Sequence, residues 1–252
     1  MPDKVEHVHP LPRSGRLVSW FNAWTVGEAT PDDLPALVVG DDAAHDVLGL
    51  TDGPESLLLA AGRLRRGGGS ATLTLPLPGD LWGLAGPPEL NMAALEAGEA
   101  ALFPHADVAL VPEVVGAGVF WHALPCTRAV PVVDPGEAER ALREALLRSA
   151  ERMVALDIAT WRPEIADALS SLWEEQDAPL PPAYSQRASR MAALALRCRT
   201  IVDLAWRNGS AAVTSHEELG RVEALGELDR ACRHALVAAC SEVPRRGHVR
   251  AR

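Results

Sequence analysis

Asp134-Pro135-Gly136-Glu137-Ala138-Glu139-Arg140 is the stretch that divides this chain. An aspartate cap, a proline at the first helical position and an acid at the third announce a helix. From Met1 to Asp134 there are 17 Asp/Glu against 7 Lys/Arg, and from Pro135 onward the counts are 17 and 17. Of the 40 prolines and glycines, 29 precede Pro135. An acidic, turn-rich half is therefore joined to a neutral, helix-rich one.

Downstream of the junction the spacing of apolar residues predicts four helices. The first runs to about Leu156, with Glu139–Arg143 and Glu144–Arg148 paired at i, i+4 on its outer side. The second starts near Trp161 and buries Ile165, Leu169, Leu172 and Trp173. The third spans about Ser185 to Arg207, with Met191, Ala195, Cys198 and Val202 on one stripe. The fourth begins at Thr214, where Thr214 and Glu217 form a capping-box pattern, and buries Leu219, Val222, Leu225, Leu228, Cys232 and Leu236. Short connections between amphipathic helices predict a four-helix bundle.

Upstream, short strands and helices alternate. Leu17–Phe21 reads as a strand, Thr30-Pro31-Asp32-Asp33 as a helix start running to Gly40, and HDVLGL (45–50) as a buried strand. Pro54–Arg66 reads as a helix with Leu57, Leu58, Ala61 and Leu64 inward, and ATLTLPL (71–77) as a strand. After a loop, a helix covers about Glu89 to Ala97. Three strands follow at Ala100–Phe103, Asp107–Val115 and Val119–Leu124, the last two joined by a hairpin turn at Gly116-Ala117-Gly118. The expected organisation is a disordered tail at 1–15, an acidic α/β region at 16–134, a helical bundle at 135–243 and a basic disordered tail at 244–252. The fold class is α+β.

Composition excludes several activities. The net charge of −10 and a pI near 5.3 argue against nucleic acid and anionic membrane surfaces as partners. No apolar run approaches the roughly 20 residues of a membrane span, and the N-terminus has no secretory pattern. The four cysteines, Cys126, Cys198, Cys232 and Cys240, form no CxxC pair, which points to reduced thiols in a cytoplasm. Lys4 is the only lysine. P-loop, Schiff-base and kinase chemistry each need a placed lysine, so none is expected here.

The segment Leu17–Gly62 carries eight acids and no lysine or arginine. Within it, Asp41, Asp42, His45 and Asp46 offer hard oxygen ligands and an imidazole within six residues. Mg²⁺ or Mn²⁺ would suit such a set, but turn acids facing water are the preferred reading and no cofactor is expected. Trp20, Asn22, Trp24 and Glu28, with Asp80 from the glycine- and proline-rich loop 76–88, form a candidate ligand pocket. Packing of the tryptophans in a core is the competing explanation. His122 and Cys126 lie four apart near Arg128, a pattern that reads as an ordinary thiol after a buried strand. No catalytic set is recognisable.

The segments SWFNAWTVGEATPDDL (19–34), LPLPGDLWGL (75–84), ALEAGEAAL (94–102), WRPEIADAL (161–169) and AVTSHE (212–217) carry a resemblance. By them the chain resembles an uncharacterised family of actinobacterial, high-GC conserved proteins. That resemblance implies a bacterial cytoplasmic setting and no particular chemistry. The leading expectation is a non-catalytic cytoplasmic binding or interaction protein that meets an unidentified protein or small molecule through its acidic half. The alternative is a small-molecule enzyme of unfamiliar type, with its pocket at Trp20, Asn22, Trp24 and Glu28 and a divalent metal as an option. A third reading is a structural subunit that self-associates as a homo-oligomer through its bundle.

Overall fold

The computed structural model describes residues 11–84, 86–127, 134–155, 180–207 and 215–245. In chain order these are α1 (Arg13–Thr25), α2 (Asp33–Val39), β1 (His45–Leu48), β2 (Glu55–Ser56), α3 (Leu57–Arg66), β3 (Thr72–Thr74) and α4 (Pro88–Ala97). There follow β4 (Ala100–Phe103), a 3-10 turn (Pro104–Ala106), β5 (Val108–Val115), β6 (Gly118–Pro125), α5 (Pro135–Ala155), α6 (Gln186–Arg207) and α7 (Ser215–Ser241). The protein is α+β.

The strands form one sheet in the order β2-β1-β6-β5-β4-β3. Only β1 and β6 run parallel; the other pairs are antiparallel. The β5–β6 hairpin closes at Gly116, whose φ of 61° suits the tight turn, and sets the register Val115↔Gly118 through Val108↔Pro125. Alternation along β4 and β5 sends side chains to both faces. Ala101, Phe103 and Leu110 join Val47 and Trp121 in the large core under α1. Ala100, Leu102, Ala109 and Val111 meet Leu90 and Ala94 of α4 on the other face. With helices on both faces, β4 is buried at all four positions.

Several expectations change. Leu17–Phe21 is not a strand but the middle of α1. Ser14, Leu17, Val18, Phe21 and Trp24 are all buried, the 3-and-4 spacing of a helix. A five-residue window rich in Val, Trp and Phe hid that period. The ordered part also begins before residue 16, since α1 starts at Arg13 and Leu11 is buried. Thr30 does not cap a helix that begins at Pro31. Its N–H and hydroxyl both donate to the Asp33 carboxylate, at 2.7 and 2.8 Å, in a turn that precedes α2. Leu58 is only half-buried and Ala60 takes the inward place.

In the second half Asp134 does cap α5, accepting from the N–H groups of Gly136 and Glu137 at 2.8 and 3.1 Å. Glu139 accepts from Arg143 at 2.6 Å. The α6 stripe of Met191, Ala195, Cys198 and Val202 is buried throughout. On α7, Leu225, Leu228, Cys232 and Leu236 are buried, but Leu219 and Val222 are 70% and 48% exposed. The apolar stripe continues past the part of the helix that packs. The expected helix from Trp161 lies outside the described residues, and so does the C-terminal tail beyond Arg245, so three of the four expected helices are described. No described helix is long and apolar enough to cross a membrane.

The main departure from two separate halves is α7. It packs on α5 and α6, and its last turns run back onto β3 and α1. The Tyr184 hydroxyl, just before α6, lies 2.9 Å from the Cys240 carbonyl and 3.2 Å from that of Ser19. One continuous core therefore includes residues from both sides of Asp134.

Strand β3 is an edge, and edges expose unpaired backbone groups. Here they are taken by buried side chains. Asn22 of α1 donates to the Ala71 carbonyl at 3.0 Å and accepts from the Ala71 N–H at 2.7 Å. The Ser241 hydroxyl of α7 accepts from the Leu73 N–H at 3.0 Å. Arg233 of α7 donates to the Leu75 carbonyl at 2.7 Å. Helices from both halves thus close the same edge.

Candidate functional site

The site lies where the sealed edge ends and α1 begins. The first turn of α1 carries no acid, so the positive end of its dipole draws its countercharge from elsewhere. Glu99 supplies one, accepting from the Ser14 N–H at 2.6 Å. Its place follows from Gly98, the left-handed residue (φ 72°) that ends α4 and turns the chain into β4. Burial pushes the Glu99 carboxyl up, against the lowering effect of its Ser14 bonds and of Arg13 and Arg16.

Asp42 supplies the other. It follows Gly40, whose φ of 60° turns the chain out of α2. Arg13 holds its carboxylate with two bonds, Nε at 2.8 Å and Nη2 at 2.7 Å. Arg16 approaches at 3.4 Å and the buried His45 ring at 3.0 Å. Arg13 foremost, with His45, holds Asp42 well below the usual carboxylate range. Burial lowers the His45 pKa despite Asp42. Arg16 lies against Gly40 so closely that a Cβ there would stand 2.3 Å from its Nη1. The Arg16 Nε is buried without a hydrogen-bond partner.

The opposite wall comes from α6 and α7. Asp229 holds Arg199 at 3.2 Å and Arg233, one turn along α7, at 2.9 Å. Arg233 also reaches Asp80 at 2.8 Å. All three of its guanidinium nitrogens are thereby used, on Asp229, Leu75 and Asp80. Asp80 further meets His234 at 3.1 Å, and the His234 ring packs on Trp82 with centroids 4.8 Å apart.

Between these walls is a cleft of about 400 Å³. Arg13, Arg16, Arg199 and Arg233 line it together with Asp42 and Glu99, over a floor that includes Leu75 and Leu77. Both halves of the chain contribute guanidinium groups.

The residues singled out from sequence fall in three places. Asp41 and Asp42 line this cleft, and His45 stands behind Asp42. Asp46 sits on β1 opposite Ser56 and Phe120, away from Asp42's arginines. Among the described residues no group of three or more His, Cys, Asp or Glu side chains is gathered as a metal would require. Trp20, Asn22 and Trp24 are packing residues of α1. Trp20 lies at the core margin, Asn22 is spent on Ala71, and Trp24 is edge-on to Phe21 and lies under Arg65 at 4.4 Å. Glu28 follows α1, partly exposed. Asp80 does not join them; it backs the cleft through Arg233. His122 pairs with Glu113 at 2.6 Å on an exposed part of the sheet, and Cys126 is buried against α4.

Arg13, Arg16, Glu99, Arg199 and Arg233 escaped the sequence reading. Apart from the Asp229–Arg233 pair, four residues apart on α7, their partners lie 26 to 158 residues away along the chain. The local signs are the i, i+4 spacing of Asp229 and Arg233 and the position of Arg16 at the border of the stretch free of basic residues.

Residues 14–138 match the family described as Rv1486c-like protein, N-terminal domain, and residues 136–237 match its C-terminal domain. The chain is 30% identical over 184 residues to the uncharacterized protein Rv1486c of Mycobacterium tuberculosis H37Rv, covering 56% of this chain and 64% of that protein. It is 30% identical over 195 residues to the uncharacterized protein MAV321 of Mycobacterium avium, covering 59% of this chain and 63% of that one. The matches thus span somewhat less than two thirds of these relatives' own length. No solved structure matches. The chain belongs to the Rv1486c-like family of actinobacterial proteins.

Proposed function

We propose that this chain is a non-catalytic cytoplasmic binding protein whose site is the cleft between α1 and the α6–α7 wall, and that it takes a small molecule there. One observation carries the reading: arginines from both halves line a single cleft of about 400 Å³, a size that suits a small-molecule site. The binding surface therefore shifts from an acidic face toward the seam. The cytoplasmic setting accords with four buried cysteines, none in a disulfide. A four-helix bundle, with the amphipathic stretch that begins at Trp161 as its further member, is the scaffold this reading assumes. The tryptophan pocket is not carried forward, because Asn22 spends both amide atoms on Ala71.

The test is thermal melting of the full chain against a broad metabolite collection, with Arg199→Gln as the cleft variant. A ligand that binds only the folded state raises the melting temperature. The expected result is at least one compound that stabilises the parent protein and stabilises the variant less. Absence of any stabilising compound would sink the reading.

A further inference from the structure

We infer that the ligand of this cleft carries an oxyanion, a phosphate or a carboxylate group, which Arg16 and Arg199 hold at the N-terminal end of α1. The inference rests on the binding reading above and adds the chemistry of the ligand.

It follows from accounting for donors and acceptors around the cleft. Arg233 is exhausted: its three nitrogens serve Asp229, Leu75 and Asp80, and its side chain is 6% exposed. It is a strut. Arg13 is committed through Nε and Nη2 to Asp42, which leaves Nη1. Arg16 is different. Its contact with Asp42 is long, at 3.4 Å, and its Nε is buried with no partner. Arg199 engages Asp229 through Nε, and its fork-shaped Nη pair is not used on that carboxylate.

The acceptors are fewer. Asp42 already takes bonds from Arg13, Arg16 and His45. Glu99 has given one oxygen to Ser14. Asp41 stands exposed at the margin. Guanidinium N–H groups are thus left over in a partly buried place, where an unmade bond to a charged donor is costly. A guanidinium fork matches phosphate and carboxylate geometry.

One feature reinforces this. Glu99 takes the Ser14 N–H at the start of α1, and the helix dipole adds to the positive field of Arg13 and Arg16 beside it. The floor at Leu75 and Leu77 leaves room for an apolar part beside the charged head.

Isothermal titration calorimetry of the full chain tests the inference, using inorganic phosphate, adenosine monophosphate and succinate as anionic probes. Adenosine and glucose serve as neutral ones. The expected result is saturable binding of an anionic probe, weakened about tenfold by Arg199→Gln, the loss of one charge-assisted bond. Arg16→Gln should weaken it similarly, and Arg148→Gln, on the outer side of α5, should not. Unfolding curves of each free variant confirm that it is folded, and Arg199→Gln carries the test if Arg16→Gln is not. Phosphate without succinate, or the reverse, assigns the head group. Neutral compounds that bind the cleft while all anionic probes fail would overturn the oxyanion and leave the binding reading standing. Failure of every compound, neutral or charged, would remove both.

Discussion

The β3 edge and the neighbouring cleft are built from the same helices, yet they treat polar groups in opposite ways. At the edge, each backbone group that Asn22, Ser241 and Arg233 meet has a dedicated partner at 2.7 to 3.0 Å. In the adjoining cleft, Arg16 keeps a buried Nε unpaired and meets its carboxylate at 3.4 Å. Buried polar groups that are fully paired stiffen a fold and define it. Buried donors left over in a concave place call for an explanation of another kind. Arg233 and Arg199 make the contrast sharp, because both bind Asp229 but only Arg233 holds the sheet.

That contrast can be broken, and the largest effect should come from Arg233. Arg233→Met would leave Asp80 and Asp229 short of a partner and the Leu75 carbonyl unpaired. Loss of one member of a buried ion pair costs about 3–5 kcal/mol, so urea unfolding should show a large drop. Arg199→Gln should cost about 1 kcal/mol or less, as for partly exposed pairs. Equal losses in the two variants would erase the distinction between strut and site.

Asn22→Ala comes next. It strands the Ala71 N–H and C=O inside the core, at about 1–3 kcal/mol for each buried group. A melting temperature close to the parent's would show that the edge does not need its seal.

Gly40→Ala should cost about 1 kcal/mol or somewhat more, from a positive φ that alanine resists and from displacement of Arg16. Chemical denaturation gives the number, and ligand affinity should fall with it because Arg16 moves.

Asp42→Asn tests the same wall through pH. The Asp42 carboxyl is depressed in the folded state, chiefly by Arg13. Its contribution is therefore fully present above the ordinary carboxylate pKa of about 4 and is lost as pH falls below it. The variant should be less stable than the parent near neutrality, and the two should converge in acid. Parallel stability curves would show that Asp42 is not perturbed. The smallest effect belongs to Leu219→Gln, within about 0.5 kcal/mol, because that side chain is 70% exposed.

Much of the fold was legible where local chemistry is strong. Asp134-Pro135-Gly136-Glu137 begins α5 with the Asp134 bonds in place, and the β5–β6 hairpin forms around Gly116. Caps and tight turns act over three or four residues, so the chain states them directly. The α1 error has a physical cause too: five residues cannot separate a helical period from a strand, whereas Ser14, Leu17, Val18, Phe21 and Trp24 together do. Leu219 and Val222 show the converse limit, since an apolar stripe marks a face but not what lies opposite it.

The candidate site was barely legible. Asp41, Asp42, His45 and Asp46 stand out in the sequence as an optional ligand set beside the preferred reading of turn acids facing water, but that Asp42 meets arginines depends on α1 lying across the turn after α2. The sequence by itself determined the α+β composition, the start of α5 and the change of composition at Asp134. Only the tertiary structure decided that α7 crosses back over that division, that Arg233 closes a sheet edge 158 residues earlier, and that arginines of both halves face one cleft. Local propensity is set by neighbours along the chain, whereas a cleft is set by which distant surfaces must be buried together.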